Sequence, residues 1–102
     1  MLLTDLLTKL ESTGIPVAYS FFREPQDPPF LVYFEPYTNN FQADDHVYRV
    51  RPRYQVELYT QYKDPKAEEN VEDVLHDLNW DKTETFIDSE ELFQVVYTIY
   101  ER

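Results

Sequence analysis

The chain has 102 residues, no cysteine, a single glycine, and 20 acidic against 9 basic residues, for a formal net charge of −11. With 42% hydrophobic and 17% aromatic residues it is too apolar for a disordered chain, and it is long enough for one domain that needs neither disulfides nor metal. The lone Gly14 excludes glycine-rich phosphate loops, and the lack of cysteine excludes thiolate nucleophiles, zinc knuckles and iron–sulfur ligation.

Leu3, Leu6, Leu7 and Leu10 recur at helical spacing, so the first dozen residues read as an amphipathic helix closed by Gly14 and Pro16. The same stretch carries Asp5 in its apolar part and has no basic leader or small-residue cleavage site, so it is expected to stay on the mature protein. A short strand is predicted over Val17 to Phe21, followed by an extended connector, REPQDPP, whose prolines cannot donate to a ladder. The run FLVYFE, Phe30 to Glu35, reads as a central strand covered on both faces over part of its length. Its apolar core of five residues is far short of the roughly 20 that a membrane-spanning helix needs, so no membrane association is expected.

The turn cluster TNNFQADDH then sends the chain back as a strand from Val47 to about Gln61, forming a long hairpin. Tyr48, Val50, Tyr54, Val56 and Leu58 share the inward parity, while Arg49, Arg51, Arg53, Gln55 and Glu57 share the other; Pro52 calls for a bulge or an edge position. Asp64 and Pro65 open a second helix, whose apolar residues Ala67, Val71, Val74, Leu75 and Leu78 run to Leu78. Its acids Glu68, Glu69, Glu72 and Asp73 read as a solvated stripe complementing the helix dipole. Two last strands, Lys82 to Ile87 and Leu92 to Tyr100, are joined at DSEE. The order α-β-β-β-α-β-β predicts an α+β domain: two amphipathic helices packed on one face of a mostly antiparallel sheet of about five strands.

Catalytic and metal chemistry find no specific pattern. His46 beside Asp44 and Asp45, and His76 one turn after Glu72, have no diagnostic ligand spacing, and loop polarity and a surface helix position account for them. Ser12, Ser20 and Ser89 lie near no histidine in sequence and in no nucleophile elbow. No enzyme activity, cofactor or metal is expected. The Arg49, Arg51, Arg53 row is the most distinctive local feature. In a chain at −11 it suits carboxylates, such as Glu35, Glu57 or a partner's acidic patch, better than phosphate, so no specific nucleic acid is expected as a ligand. Tyr59 and Tyr100 on the outward parity, with Tyr37, Tyr62 and Phe41 in loops, offer aromatic contact area for a protein interface, whereas Tyr48, Tyr54 and Tyr97 suit the core.

GIPVAY, the PPFLVYFE strand after a proline connector, YQVELYT and the KDP that opens the second helix lie in a pattern spanning nearly the whole chain. This pattern resembles the head-to-tail joining, tail completion and tail terminator proteins of siphophages and prophages of Gram-positive bacteria. The resemblance implies an α+β subunit of a homo-hexameric ring that caps the phage tail tube protein and docks to the head connector proteins. It implies a virion protein assembled in the bacterial host cytoplasm, and it is compatible with a monomer in isolation and a ring that forms only on the tail tube. It nominates no catalytic residue. On that reading the interface residues are Arg49, Arg51 and Arg53, the hairpin aromatics Tyr37 and Phe41, and the helix acids Glu68, Glu69 and Glu72, with charge complementarity setting register between subunits. A reading from another class is an acidic DNA mimic, or another small phage-encoded inhibitor that binds a host protein.

Overall fold

The computed structural model describes residues 2–36 and 52–100, with the side chain of residue 52 left aside. Helix α1, Leu3–Glu11, starts where the Asp5 carboxylate accepts the Leu2 N–H at 2.9 Å, and it buries Leu6 and Leu10. Thr13 Oγ1 donates to the Leu10 carbonyl, and Gly14 takes φ +82°, where only glycine escapes a Cβ penalty. Strand β1, Val17–Tyr19, is shorter than the predicted segment. Ser20 adopts φ +71° and turns the chain away before Phe21 can pair.

Strand β2, Phe30–Phe34, lies beside β1 in parallel register, Val17 opposite Leu31. A hairpin cannot join parallel strands. The connector between them therefore crosses the sheet, over the face away from the helices. Leu31, Val32 and Tyr33 are all buried, in keeping with a strand covered on both faces.

Strand β3, Pro52–Thr60, runs antiparallel to β2, and its register breaks between Pro52 and Tyr54, the bulge expected from the proline. The predicted stretch from Val47 to Arg51 lies outside the described residues. Alternation holds along the described strand, with Tyr54, Val56, Leu58 and Thr60 buried.

Helix α2, Pro65–Val74, is capped by the Asp64 side chain, which accepts the Ala67 N–H at 3.1 Å. It ends one turn earlier than its apolar period suggests, since residues 75–77 form a turn and His76 Nδ1 sits 2.7 Å from the Asp73 carbonyl. Leu75 is fully buried and Leu78 packs on the core nonetheless, so the period is expressed in burial after the helical hydrogen bonds stop. Strand β4, Asn79–Ile87, starts three residues before the predicted Lys82, and Trp80 meets the Tyr97 ring edge-on at 5.5 Å. A turn with Glu91 at φ +54° leads into β5, Leu92–Tyr100.

The sheet order is β1-β2-β3-β5-β4, antiparallel throughout except for β1 and β2. Both helices cover one face. Leu6, Leu10, Val71 and Leu75 pack there on Leu31, Tyr33, Tyr54, Val56, Leu58, Val95, Tyr97 and Ile99. Each helix is tied to the turn that follows the other, by Lys9–Asp77 at 3.2 Å and by Asn70 Nδ2 donating to the Thr13 carbonyl.

Candidate functional site

The residues expected at an interface separate into distinct groups. Arg49, Arg51, Tyr37 and Phe41 lie outside the described residues, as does His46. Arg53 is exposed, with its guanidinium carbon 5.3 Å from the centre of the Tyr54 ring. Glu69 is exposed on α2, as expected for a solvated acid.

Glu68 and Glu72 correct the picture of a uniformly solvated stripe. Glu68 is only 3% exposed. Its Oε1 accepts from Lys63 Nζ at 3.1 Å and Lys82 Nζ at 2.9 Å, and Oε2 lies 2.8 Å from Lys63 Nζ without forming an aligned hydrogen bond. Lys82 also donates to Glu72 Oε2 at 2.6 Å, Tyr97 Oη donates to the same oxygen at 2.9 Å, and Lys63 reaches Glu84 at 2.7 Å. The cause is topological. α2 lies over β4 and β5, where Lys82 and Tyr97 are cross-strand neighbours on the helix-covered face, so the helix acids meet a lysine rising from the sheet.

Burial works to raise the Glu68 carboxyl pKa, but the hydrogen bonds and charges of Lys63 and Lys82 outweigh it and hold the group below the usual carboxylate range. The Lys63 ammonium, hydrogen-bonded to Glu68 and Glu84, is pushed up to about 12. Burial and the bond to Glu72 keep the Tyr97 phenol protonated well above the usual range. This cluster clamps α2 to the sheet, and its acids are engaged within the subunit.

On the opposite face a second constellation forms. Glu57 is half-buried, and both of its oxygens are held by neutral donors: Gln55 Nε2 to Oε2 at 2.9 Å and Tyr59 Oη to Oε1 at 2.7 Å. Gln94 Nε2 donates to Tyr59 Oη at 2.9 Å, extending the network to β5. Among the described residues no lysine or arginine lies within ion-pair distance of Glu57, one of the alternative carboxylates for the arginine row; Arg49 and Arg51 lie outside those residues. Glu35, the other expected partner, is exposed, and its N–H donates to Tyr19 Oη.

Tyr59 is not the exposed contact residue its parity suggested. It stacks on Phe30 at 4.9 Å and 18°, and Phe30 meets Phe22 of the connector edge-on at 5.6 Å. Burial, followed by the bond to Glu57, pushes the Tyr59 phenol up to about 12. The connector and this network enclose a groove of about 340 Å³ on the far face, floored by Val32 and rimmed by Arg23, Glu24 and Glu90. Tyr62 is exposed, as expected for a loop tyrosine. Tyr100 is half-buried and donates to Asp81.

Among the described residues no group of three potential metal-ligating side chains converges, and no helix is long and apolar enough to cross a membrane. The groove was not legible in the sequence as a site. Its one signal was Phe21 and Phe22 at the start of a proline-rich connector, aromatic residues where a plain linker would be polar.

Fold and surfaces define the class: an α+β domain with both helices packed on one sheet face and, among the described residues, the crossover connector alone on the other. Comparison of the chain with models of known protein families finds no match, and neither do searches of curated proteins and of solved structures.

Proposed function

We propose that the protein is a structural subunit of virion assembly, a head-to-tail joining or tail terminator protein of a siphophage or prophage that caps the tail tube and meets the head connector. The observation that carries this reading is the unlikeness of its two sheet faces. A closed ring of identical subunits joined head to tail needs two different, complementary patches per subunit. Here the helix side bears exposed acids such as Glu69, and the far side bears an open sheet surface with an aromatic groove. The nine-residue strand β4 adds an unpaired edge among the described residues.

The resemblance read in the motifs GIPVAY, PPFLVYFE, YQVELYT and KDP points to the same role, with Arg49, Arg51 and Arg53 as the cationic side of the contact and a homo-hexameric ring formed on the tail tube. An acidic DNA mimic draws less support, because Glu68 and Glu72 are neutralised by lysines of the same subunit where a mimic would display them. Deleting the gene from its phage is expected to yield filled heads and unattached tails in electron micrographs. Normal infectious particles from the deletion would overturn the proposal. Replacing all three arginines by glutamate is expected to block joining in an in vitro head–tail complementation assay, with circular dichroism melting run beside it: a stable variant that fails to join places the row at the interface, and a destabilised one places it in pairs within the subunit.

A further inference from the structure

We infer that the far-face groove is a docking site for an arginine side chain carried on an extended segment of a partner protein. The inference does not depend on the assembly role, because it concerns the chemistry of the groove in the isolated chain.

The argument begins with Glu57. On the other face the buried carboxylate of Glu68 is matched by two lysines. Glu57 instead is fixed by Gln55 and Tyr59, each occupying one oxygen and leaving each oxygen room for a second donor. The Gln94–Tyr59 bond braces the phenol that holds it, so the carboxylate is oriented before any ligand arrives. Tyr59 stays protonated at any physiological pH and so remains a donor to Glu57.

Beside this fixed charge stand the stacked rings of Phe30 and Tyr59 and the edge-on ring of Phe22, and Phe21 is 66% exposed at the entrance. A fixed carboxylate next to aromatic faces is the pairing that recognises an organic cation, since the ring quadrupole and the carboxylate attract the same charge. Glu24 and Glu90 at the rim outnumber Arg23, and the whole chain is at −11, so an anion is disfavoured.

Among cations the guanidinium fits best. It is planar, stacks on a ring, donates as a fork to a carboxylate, and sheds water more readily than an ammonium. The groove is open to solvent, which admits a side chain presented from an extended backbone.

The test is an NMR titration of the isolated protein with an acetylated and amidated Gly-Arg-Gly tripeptide, beside the same peptide carrying neutral, isosteric citrulline. The arginine peptide is expected to give saturable shifts concentrated on Phe22, Phe30, Val32 and Tyr59. Citrulline for arginine, or Glu57→Gln in the protein, is expected to weaken binding about tenfold. Phe22→Ala, which removes a half-buried connector side chain, serves as a second variant and is expected to weaken binding while a cooperative thermal transition is retained. The inference is overturned by equal affinity for the two peptides or by undiminished binding to Glu57→Gln. Shifts spread over the exposed acids of α2 and β4, or no binding at all, overturn it as well.

Discussion

Lys82→Met is the sharpest probe of the clamp between α2 and the sheet. The substitution keeps most of the aliphatic stem and removes one charge that serves two carboxylates, Glu68 at 2.9 Å and Glu72 at 2.6 Å. Glu68, its side chain 4% exposed, would then rely on Lys63 alone, with the Glu72 carboxylate left facing it across the vacated position. Breaking a fully buried ion pair costs about 3–5 kcal/mol and an exposed one about 0–1. Lys82 at 35% and Glu72 at 26% side-chain exposure lie between these limits, so water recovers part of the loss and about 2 kcal/mol is expected. For a domain of this size that is a fall in Tm of about 8–16 °C.

Glu68→Gln should cost less, about 1 kcal/mol, because the two lysines it leaves behind are half-exposed and can hydrate. In the double variant the neutral amide no longer needs a cation, so the combined loss should fall short of the sum by about 1 kcal/mol. Urea unfolding followed by circular dichroism measures all three. A Lys82→Met variant within about 0.5 kcal/mol of the parent, or strict additivity in the double variant, would refute the reasoning.

The clamp also sets the response to pH and substitution. Glu68 has a folded-state pKa below its unfolded value of about 4.3; its contribution is therefore present above that pH and lost as pH falls through the folded value, and acid titration of Glu68→Gln should show a shallower decline. Tyr97 has the opposite sign. Its raised pKa gives stability that is complete below about pH 10 and fades as pH rises, so Tyr97→Phe should cost about 1–2 kcal/mol at neutral pH and flatten alkaline unfolding. Leu75→Asp, at a fully buried position, should abolish the cooperative thermal transition, whereas Glu69→Lys on the exposed side should stay within about 0.5 kcal/mol of the parent. Gly14→Ala should cost about 1 kcal/mol, measured as a shift in urea midpoint; no atom crowds the added Cβ, so the loss comes from the left-handed backbone alone.

The elements were legible because period and punctuation agreed. Leu6 and Leu10, Val71 and Leu75, and the alternation Tyr54, Val56, Leu58 each announce a buried face, and Gly14, Asp64 and Pro65 mark helix ends that the structure uses. Endings without such marks were misjudged. Nothing before Leu78 signals that α2 stops at Val74, where a histidine nitrogen meets the Asp73 carbonyl. Ser20 gives no hint of its left-handed backbone.

The site was less legible, for a different reason. Whether Glu68 is solvated depends on a lysine 14 residues further along the chain, and strand pairing alone brings Lys82 beneath it. Tyr59 has the parity of an exposed residue, and only the crossing of the connector to that face encloses it. Parity names a face of the sheet; what lies over that face is decided by topology.

The position of β5 bears on how the chain is made. Although last among the strands, it lies between β3 and β4, which have no direct pairing with each other, and it supplies Val95, Tyr97 and Ile99 to the core. Among the described strands, a nascent chain halted before Leu92 would hold β4 with no neighbour and β3 with β2 alone, so this sheet is not complete while β5 is still inside the ribosomal exit tunnel. Folding is therefore expected to wait until Tyr100 has emerged, with the apolar faces of α1 and α2 exposed to chaperones and proteases until then. Ribosome-bound chains arrested at successive lengths, extended by a linker past Tyr100, should turn protease-resistant in one step, only after the whole of β5 is outside.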